Sequence, residues 1–309
     1  MNKVLKFSKS YANILKIKKE FYNDNEIYLK KAIKINNEYK KQPLRKCCKN
    51  CGSKKIKLFI KNFDIPYKLC SSCGHLNGAY EDSRVFAKKL YASNDGKNYS
   101  KNYGKSFLND FDTRVKNIYI PKVDFLKKVI KKKINLLDLG CGAGHFVKAL
   151  EQKKISATGY DTSTFLCKLG NKKLKKNTIH SVNFEDIYEI VESYSEFNTL
   201  SLMGVLEHLT EPHKFLNSFK KSKIKYLYVS VPLFSLSTFL ENSFPSVFPR
   251  QLSGGHTHLY TKDSLNKMAK KYNLKIVGEW WFGTDFPDLY RSLINTSTSL
   301  NKEIYLKEI

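Results

Sequence analysis

Leu136-Leu137-Asp138-Leu139-Gly140-Cys141-Gly142-Ala143-Gly144-His145-Phe146 is the stretch that decides the fold. An apolar run ends in three glycines at alternate positions, and a helical pattern over Phe146–Lys153 follows. Glycine tolerates positive φ and lets a ligand approach the backbone with no Cβ in the way. In an open α/β sheet, such a turn after the first strand lies at the switch point where ligands bind. The spacing is G-x-G-x-G. It lacks the extra residue of the G-x-G-x-x-G turn that holds a dinucleotide pyrophosphate.

Outward from this turn, strand and helix patterns alternate. Ile134–Leu139 reads as the first strand and Ala157–Tyr160 as the second, with a helix over Phe165–Lys175. His180–Phe184 reads as a third strand, Asn198–Met203 as a fourth, Pro212–Ser222 as a helix, and Tyr226–Val231 as a fifth strand ended by Pro232. That alternation predicts a doubly wound α/β fold, a parallel sheet with helices on both faces. Asp161 closes the second strand, 23 residues after Asp138. A carboxylate there can accept both hydroxyls of a ribose.

Asp138 and Leu139 with Gly140, Gly142 and Gly144 resemble the first motif of class I S-adenosylmethionine-dependent methyltransferases. The resemblance implies a Rossmann-like methyltransferase sheet. It also implies S-adenosyl-L-methionine held around Asp138, Gly140, Cys141, Gly142 and Gly144, with its ribose on Asp161. Asn183 and Phe184 stand where that family often holds the adenine. Met203-Gly204-Val205-Leu206-Glu207-His208-Leu209 resembles the V-L-E-H-L segment of the small-molecule branch that includes the ubiquinone-type enzymes. Backbone at Met203 and Gly204 would there meet the methionine part of the cofactor, and Glu207 and His208 become catalytic candidates. Some of those enzymes place a further glutamate, joined to Glu-His in binding a divalent metal, where this chain has Gly204.

Five of the seven cysteines lie between Cys47 and Cys73. Cys48-x-x-Cys51-Gly52 and Cys70-x-x-Cys73-Gly74 are two knuckles, and four thiolates at such spacing close a tetrahedral structural Zn2+ site. Cys47 could stand in for Cys48, although the repeated spacing favours Cys48. A zinc ribbon ahead of a methyltransferase core resembles bacterial sugar C-methyltransferases, over about residues 43–285. Those enzymes carry a Glu-His pair, an aromatic residue and a Ser/Thr after the fifth strand. Gly255, His256, Tyr260 and Thr261 stand at those places here. His256 is thereby the candidate general base, its imidazole titrating near neutrality. His258 and Tyr260 are further candidates, and Thr261 is read as a helix cap ahead of Lys262–Tyr272. The aromatic run from Trp280 to Arg291 reads as a packed edge strand, with Asp285 and Arg291 as alternative pocket residues. Tyr99 and Tyr103 are candidates for the cofactor mouth.

The expected organisation is a helical extension over 1–42, a zinc ribbon over 43–80 and a helical connector over 81–134. The methyltransferase domain follows over 135–285, and a tail over 286–309. Pro121 divides the connector into two helices. The formal net charge is +27. Nearly all of it is lysine, whereas arginine, the residue suited to bidentate phosphate and base contacts, occurs only at 45, 84, 114, 250 and 291. The lysine excess suits a small polar partner, phosphorylated or nucleotide-linked, ahead of a nucleic acid; the resemblance to sugar C-methyltransferases implies carbohydrate biosynthesis, with a zinc-ribbon RNA methyltransferase as the alternative. No run reaches the length of a membrane span and the first residues carry no secretory apolar run, so a cytoplasmic protein is expected.

Overall fold

The computed structural model describes residues 2–11, 17, 23–94, 110–183, 185–253 and 255–297. Tyr99, Tyr103 and Phe184 lie outside the described residues. The chain divides into two compact units, one of residues 1–6, 83–231 and 268–280, the other of residues 7–82, 232–267 and 281–309. The expected continuous core of 135–285 is thus interrupted. The segment 232–267, read from sequence as part of the methyltransferase domain, belongs to the unit that carries the cysteines.

The first unit is built on a parallel sheet of β5 (Asn135–Leu139), β6 (Ser156–Asp161), β7 (Ile179–Ser181), β8 (Thr199–Met203) and β9 (Tyr226–Ser230). Their order is β7-β6-β5-β8-β9. The chain therefore steps outward from β5 to one side and then crosses back to the other, and β5 marks the switch point. Strands covered on both faces read as unbroken apolar runs, and Leu136, Leu137 and Leu139 are fully buried. The helices His145–Gln152, Thr164–Leu174, Ile187–Ser193 and Pro212–Lys221 alternate with the strands. Ser163 caps the second of these, its Oγ accepting from Leu166 N at 3.2 Å. Ahead of the sheet, Pro121, expected to divide the connector into two helices, instead lies within helical backbone, as the second residue of Ile120–Val129. That helix continues from a π-helical turn, Val115–Tyr119. β11 (Gly278–Trp281) pairs with β1 (Val4–Phe7).

Asp138 is the one polar residue of β5's buried run, 1% exposed. It faces Ser201 of β8 in register, and the Ser201 hydroxyl donates to its Oδ1 at 2.6 Å. Burial pushes its carboxyl from 3.8 up to about 7.

The second unit holds an antiparallel sheet in the order β10 (His258–Leu259), β4 (Leu76–Gly78), β3 (Ile65–Cys70), β2 (Ile56–Asn62). Phe63 and Asp64 join β2 to β3, both with positive φ, the conformation of a two-residue hairpin turn whose twist suits its strands. Packed in this unit are the helices Asn25–Tyr39, Leu236–Ser243 and Asp285–Thr296. The last of these was expected to be a tail. Its Asp285 accepts from the Ser235 hydroxyl at 2.6 Å and from the Ser237 N–H at 2.8 Å, so it fixes the start of Leu236–Ser243. Glu241, 2% exposed, accepts three backbone N–H groups. Oε1 takes Arg250 at 2.5 Å and Gln251 at 2.6 Å, and Oε2 takes Leu252 at 2.9 Å. Among the described residues, no helix is long and apolar enough to cross a membrane.

Two predictions follow from these buried carboxylates. Glu241→Ala leaves three buried donors without an acceptor, and we expect a loss of about 3 kcal/mol, read as a lower urea midpoint. For Asp138, the folded state keeps its proton to about pH 7 while the unfolded chain releases it near 3.8. The folded form thus binds more protons between those values, and its stability falls as pH rises through that window. Denaturation of the ligand-free protein at pH 4.5 and pH 7.5 should show a smaller fall in Asp138→Asn than in the wild type.

Candidate functional site

The glycine turn leaves β5 and is tied to β6 by backbone bonds from Gly140 N and Cys141 N to Tyr160 O, at 2.8 and 3.1 Å. Gly140, Gly142 and Gly144 all have positive φ, but only one faces open space. A Cβ on Gly140 would come within 2.4 Å of Val205, and one on Gly144 within 2.1 Å of Ile179; around Gly142 the nearest atom stands 4.0 Å away. Gly140 and Gly144 thus serve packing, and Gly142 presents bare backbone outward. The Cys141 side chain turns inward to a cluster with Val147, Cys167, Leu174 and Ile179, so only its backbone lies in the turn.

Asp161 ends β6 beside Gly142. Its Oδ2 accepts the Gly142 N–H at 2.7 Å and its Oδ1 the Ser163 N–H at 2.8 Å. Burial raises its carboxyl above the ordinary range against the pull of those two donors. A carboxylate offers about four acceptor positions, so two remain for a ligand's hydroxyls. Next to it, a cleft of about 390 Å³ is lined by Thr162, Thr164, Ser181, Val182, Asn183 and Asp186, among others. The Asn183 amide donates to Asp186 Oδ2 at 2.8 Å, and Lys88 pairs with Glu185 at 2.8 Å on the rim. These features fit an adenosine: a ribose acceptor, uncovered backbone and a polar cleft on the β7 side.

On the other side of β5, the ends of β8 and β9 are joined by Gly204 N donating to Ser230 O at 2.8 Å. Gly204 has positive φ and is exposed. Lys122, from the helix Ile120–Val129, brings its Nζ to 3.4 Å from Ser230 Oγ and 3.9 Å from Met203 Sδ. Burial lowers its ammonium to about 8, opposed by the charges of Asp138 and Glu207. Glu207 is 3% exposed, and burial raises its carboxyl to about 8. Its Oε2 has no hydrogen-bond partner among the described residues. His208 Nδ1 lies 2.7 Å from the Tyr91 hydroxyl. Sequence reading named Glu207 and His208 but missed Lys122 and Tyr91. Lys122 is one lysine among many, and only the fold separates it from its solvated neighbours.

The second unit holds the remaining candidates. Cys48 Sγ and Cys73 Sγ stand 3.7 Å apart, and Cys51 Sγ and Cys70 Sγ 3.6 Å; the four sulfurs lie within 4.8 Å of one another. Thiolates around one zinc at the usual bond length of ~2.3 Å stand about 3.8 Å apart, so the spacing fits that ion. The Asn50 amide faces Cys73 Sγ and the Asn77 amide faces Cys48 Sγ, each at 3.6 Å, donors suited to thiolate charge. Cys47 is not in this group.

His256 Nδ1 lies 2.9 Å from the Arg250 carbonyl oxygen. A carbonyl only accepts, so Nδ1 carries the proton and Nε2 holds the lone pair. Burial lowers the imidazole's pKa. His258 and Tyr260 are buried and packed against His75, the first tilted at a ring separation of 4.9 Å and the second edge-on at 4.8 Å. Thr261 caps the helix Lys262–Lys271, with reciprocal bonds to Ser264 at 2.8 and 3.0 Å. Asp285 and Arg291, the alternative pocket residues, take structural bonds: Asp285 as above, and Arg291 Nη1 to Phe248 O at 2.9 Å.

A family model described as a methyltransferase domain matches residues 111–279, more than half of the chain. The mitochondrial ubiquinone biosynthesis O-methyltransferase of Schizosaccharomyces pombe is 27% identical over 105 residues. That match spans 31% of this chain and 38% of the length of that relative. Among solved structures, the magnesium protoporphyrin IX methyltransferase of Synechocystis PCC 6803 with bound SAH is similar with a TM-score of 0.45 and 14% identity, covering 62% of this chain and 89% of that one. The plantazolicin methyltransferase BamL, in complex with a triazolic desmethylPZN analog and SAH, gives 0.45 and 15%, with 71% and 88% covered.

Proposed function

The chain belongs to the methyltransferase-domain family, its first unit being an S-adenosylmethionine-dependent domain, and on that premise we propose that it methylates a small polar metabolite, a sugar or nucleotide-linked sugar. The observation that carries the reading is the pairing of Gly142 N–H with Asp161 at the switch point, beside a polar cleft. Asp161 would hold the ribose, Gly142 backbone the thioether end, and Asn183 the adenine edge. The cofactor supplies a methyl group already activated on a sulfonium. What this chain must add is alignment of the acceptor and a place for the acceptor's proton.

We assign that proton to His256 Nε2, because the Arg250 carbonyl holds the opposite nitrogen protonated. His258 and Tyr260 support the sheet that bears this loop. The four cysteines hold one structural zinc, which fixes the knuckles at the ends of β2 and β3. The sugar reading is supported by the pairing of a zinc ribbon with a methyltransferase sheet, the arrangement that resembles sugar C-methyltransferases. A neutral or anionic metabolite suits a lysine-rich surface.

Native mass spectrometry in low salt, with and without S-adenosylhomocysteine, tests the reading. One zinc and one S-adenosylhomocysteine per chain, with no bound nucleic acid, is expected. Co-purifying RNA with weak cofactor binding would move the assignment to an RNA substrate. Asp161→Ala should weaken S-adenosylhomocysteine by at least about tenfold, the worth of one charge-assisted hydrogen bond. With an acceptor in hand, His256→Ala should lower kcat by about 100-fold or more and leave S-adenosylhomocysteine affinity unchanged; full turnover in that variant removes His256 from the mechanism.

A further inference from the structure

The helix Leu236–Ser243 is built inside out. Ser237, Thr238 and Glu241 are its buried residues, while Leu236 is 57% exposed and Phe239 44%. A surface helix ordinarily does the reverse, laying an apolar stripe on the core and turning polar groups to water. The second unit accounts for the inward half. Asp285 accepts from the Ser235 and Ser237 hydroxyls and from the Ser237 N–H, and Glu241 holds the backbone of Arg250 to Leu252. Among the described residues, nothing completes the burial of the outward pair, Leu236 and Phe239.

Two further rings join that pair. β2 is the edge strand of the antiparallel sheet. Its exposed Phe59 lies edge-on to Phe234 at a ring separation of 5.6 Å and to Phe239 at 6.2 Å, and Phe234 and Phe239 stand 5.6 Å apart. Phe234 is held by its own N–H, which donates to Tyr260 O at 2.8 Å. Strand and helix thus mount three rings and a leucine as one ridge. Contiguous exposed apolar groups of this kind mark interaction sites.

The charge beside the ridge has one sign. From Ser53 to Phe63 the chain carries Lys54, Lys55, Lys57 and Lys61 and no acid, and all four lysines are exposed. Leu233 to Leu240 carries no charge. Asp64, in the turn after β2, is approached by both Lys61 and Lys40, so it does not reverse the excess.

Candidate occupants differ in what they need. An added strand needs a regular open edge, but β2 has a bulge between Leu58 and Ile60 and exposed lysines at 57 and 61, both of which oppose strand addition. A second copy of this chain would set these lysines against their like. The core of a protein interface favours Tyr, Trp and Arg and is depleted of Lys, whereas here Phe and Leu stand with Lys alone. Phe and Leu beside Lys is the composition of a surface that lies in a lipid headgroup layer. Lysine is a hydrated point charge on a flexible stem. It needs no partner of fixed geometry, and a fluid headgroup layer offers none. Its stem can follow the apolar groups inward while the ammonium stays among phosphates.

We propose that the ridge of Phe59, Phe234, Leu236 and Phe239, with the lysines of 54–61 beside it, docks the second unit on an anionic phospholipid surface. The rings and the leucine enter the boundary between headgroups and acyl chains, and the lysines meet the lipid phosphates. Docking of this kind is peripheral and independent of the methyl-transfer chemistry.

Co-sedimentation of the full-length protein with two kinds of vesicle tests it, one of phosphatidylcholine alone and one of phosphatidylcholine and phosphatidylglycerol in a three-to-one ratio. Binding to the anionic vesicles and little to the neutral ones is expected. Leu236→Ser with Phe239→Ser keeps every charge and should weaken that binding by about tenfold or more, with an unchanged urea midpoint. Phe239→Gln alone serves as a second substitution should the double variant fold poorly. Lys57→Gln with Lys61→Gln should also weaken binding by about tenfold or more, each lysine near the surface being worth about fivefold. The same charge removed from the helix Thr164–Leu174, by Lys172→Gln with Lys173→Gln, should change it by less than about twofold, since those lysines lie in the other unit. Ridge variants that bind as the wild type does overturn the proposal, because their lysines alone then suffice. Equal losses from the two lysine pairs also overturn it, by showing attraction without a face. A wild-type protein that binds neither vesicle overturns the lipid assignment and leaves the ridge to a protein partner.

Discussion

The hydrogen bond from Gly142 N–H to Asp161 is the constraint on which the first unit's site depends. It joins the turn after one strand to the end of the next, and it exists only because β5 and β6 are parallel neighbours in register, with Leu139 opposite Tyr160. Parallel pairing forces the crossover helix His145–Gln152 to begin at Gly144, so the turn must be tight. Tightness in turn demands positive φ at three positions that are all glycine. Once set, the turn aims bare backbone and a part-exposed carboxylate outward at the same point. Fold and site are therefore one requirement: the same short segment that closes the crossover makes the ligand surface.

This coupling explains what was legible in the sequence. The strands β5, β6, β8 and β9 and the helices His145–Gln152, Thr164–Leu174 and Pro212–Lys221 could be read within a residue or two, because buried parallel strands are unbroken apolar runs and such helices keep a 3.6-residue period; the short helix Ile187–Ser193 was not read. Gly140 to Gly144 and Asp161 were legible because backbone geometry restricts which residues can stand there. The cysteine knuckles were legible because the C-x-x-C-G spacing occurs twice, and the fold brings the four sulfurs within 4.8 Å of one another. The boundaries of the second unit were not. His258 and Leu259 add a two-residue strand to the ribbon sheet some 180 positions after β4, and two residues carry no periodicity. Glu241 and Asp288 sit in amphipathic helices where acids are ordinarily solvated, so their burial could not be read from pattern. Lys122 was hidden for the opposite reason: in a lysine-rich chain, one lysine differs from the rest only by where the fold puts it.

The second unit relies on buried charge where the first relies on apolar packing. Arg45 reaches the Gly78 and Tyr80 carbonyls and pairs with Glu81 and Asp82. Arg250 pairs with Asp288, and Arg291 approaches the same carboxylate while its guanidinium stacks on Phe248 at 4.4 Å. Buried pairs of this kind often stabilise little compared with an apolar core, but they are directional. The loop from Arg250 to Leu252, held by three N–H bonds to Glu241, presents the carbonyl that sets the tautomer of His256. A loop fixed only by apolar contacts would slide, and with it the nitrogen that carries the lone pair.

The same inventory bears on the choice of partner. Arginine is the residue whose planar fork suits phosphates and base edges. Here Arg45, Arg84, Arg250 and Arg291 each bond an acid of their own chain. The cations left to make the net charge of +27 are lysines, strongly hydrated point charges spread along helices such as Thr164–Leu174 and Pro212–Lys221. Such a surface raises the local concentration of any anion but reads no sequence and fits no particular edge. In the first unit, discrimination must then come from polar groups fixed in place, Asp161 and Asn183 among them. Each of these is a single polar side chain of a size to meet one functional group. Among the described residues, four arginines are thus committed to acids of the chain, which fits the proposed small polar acceptor better than a nucleic-acid backbone.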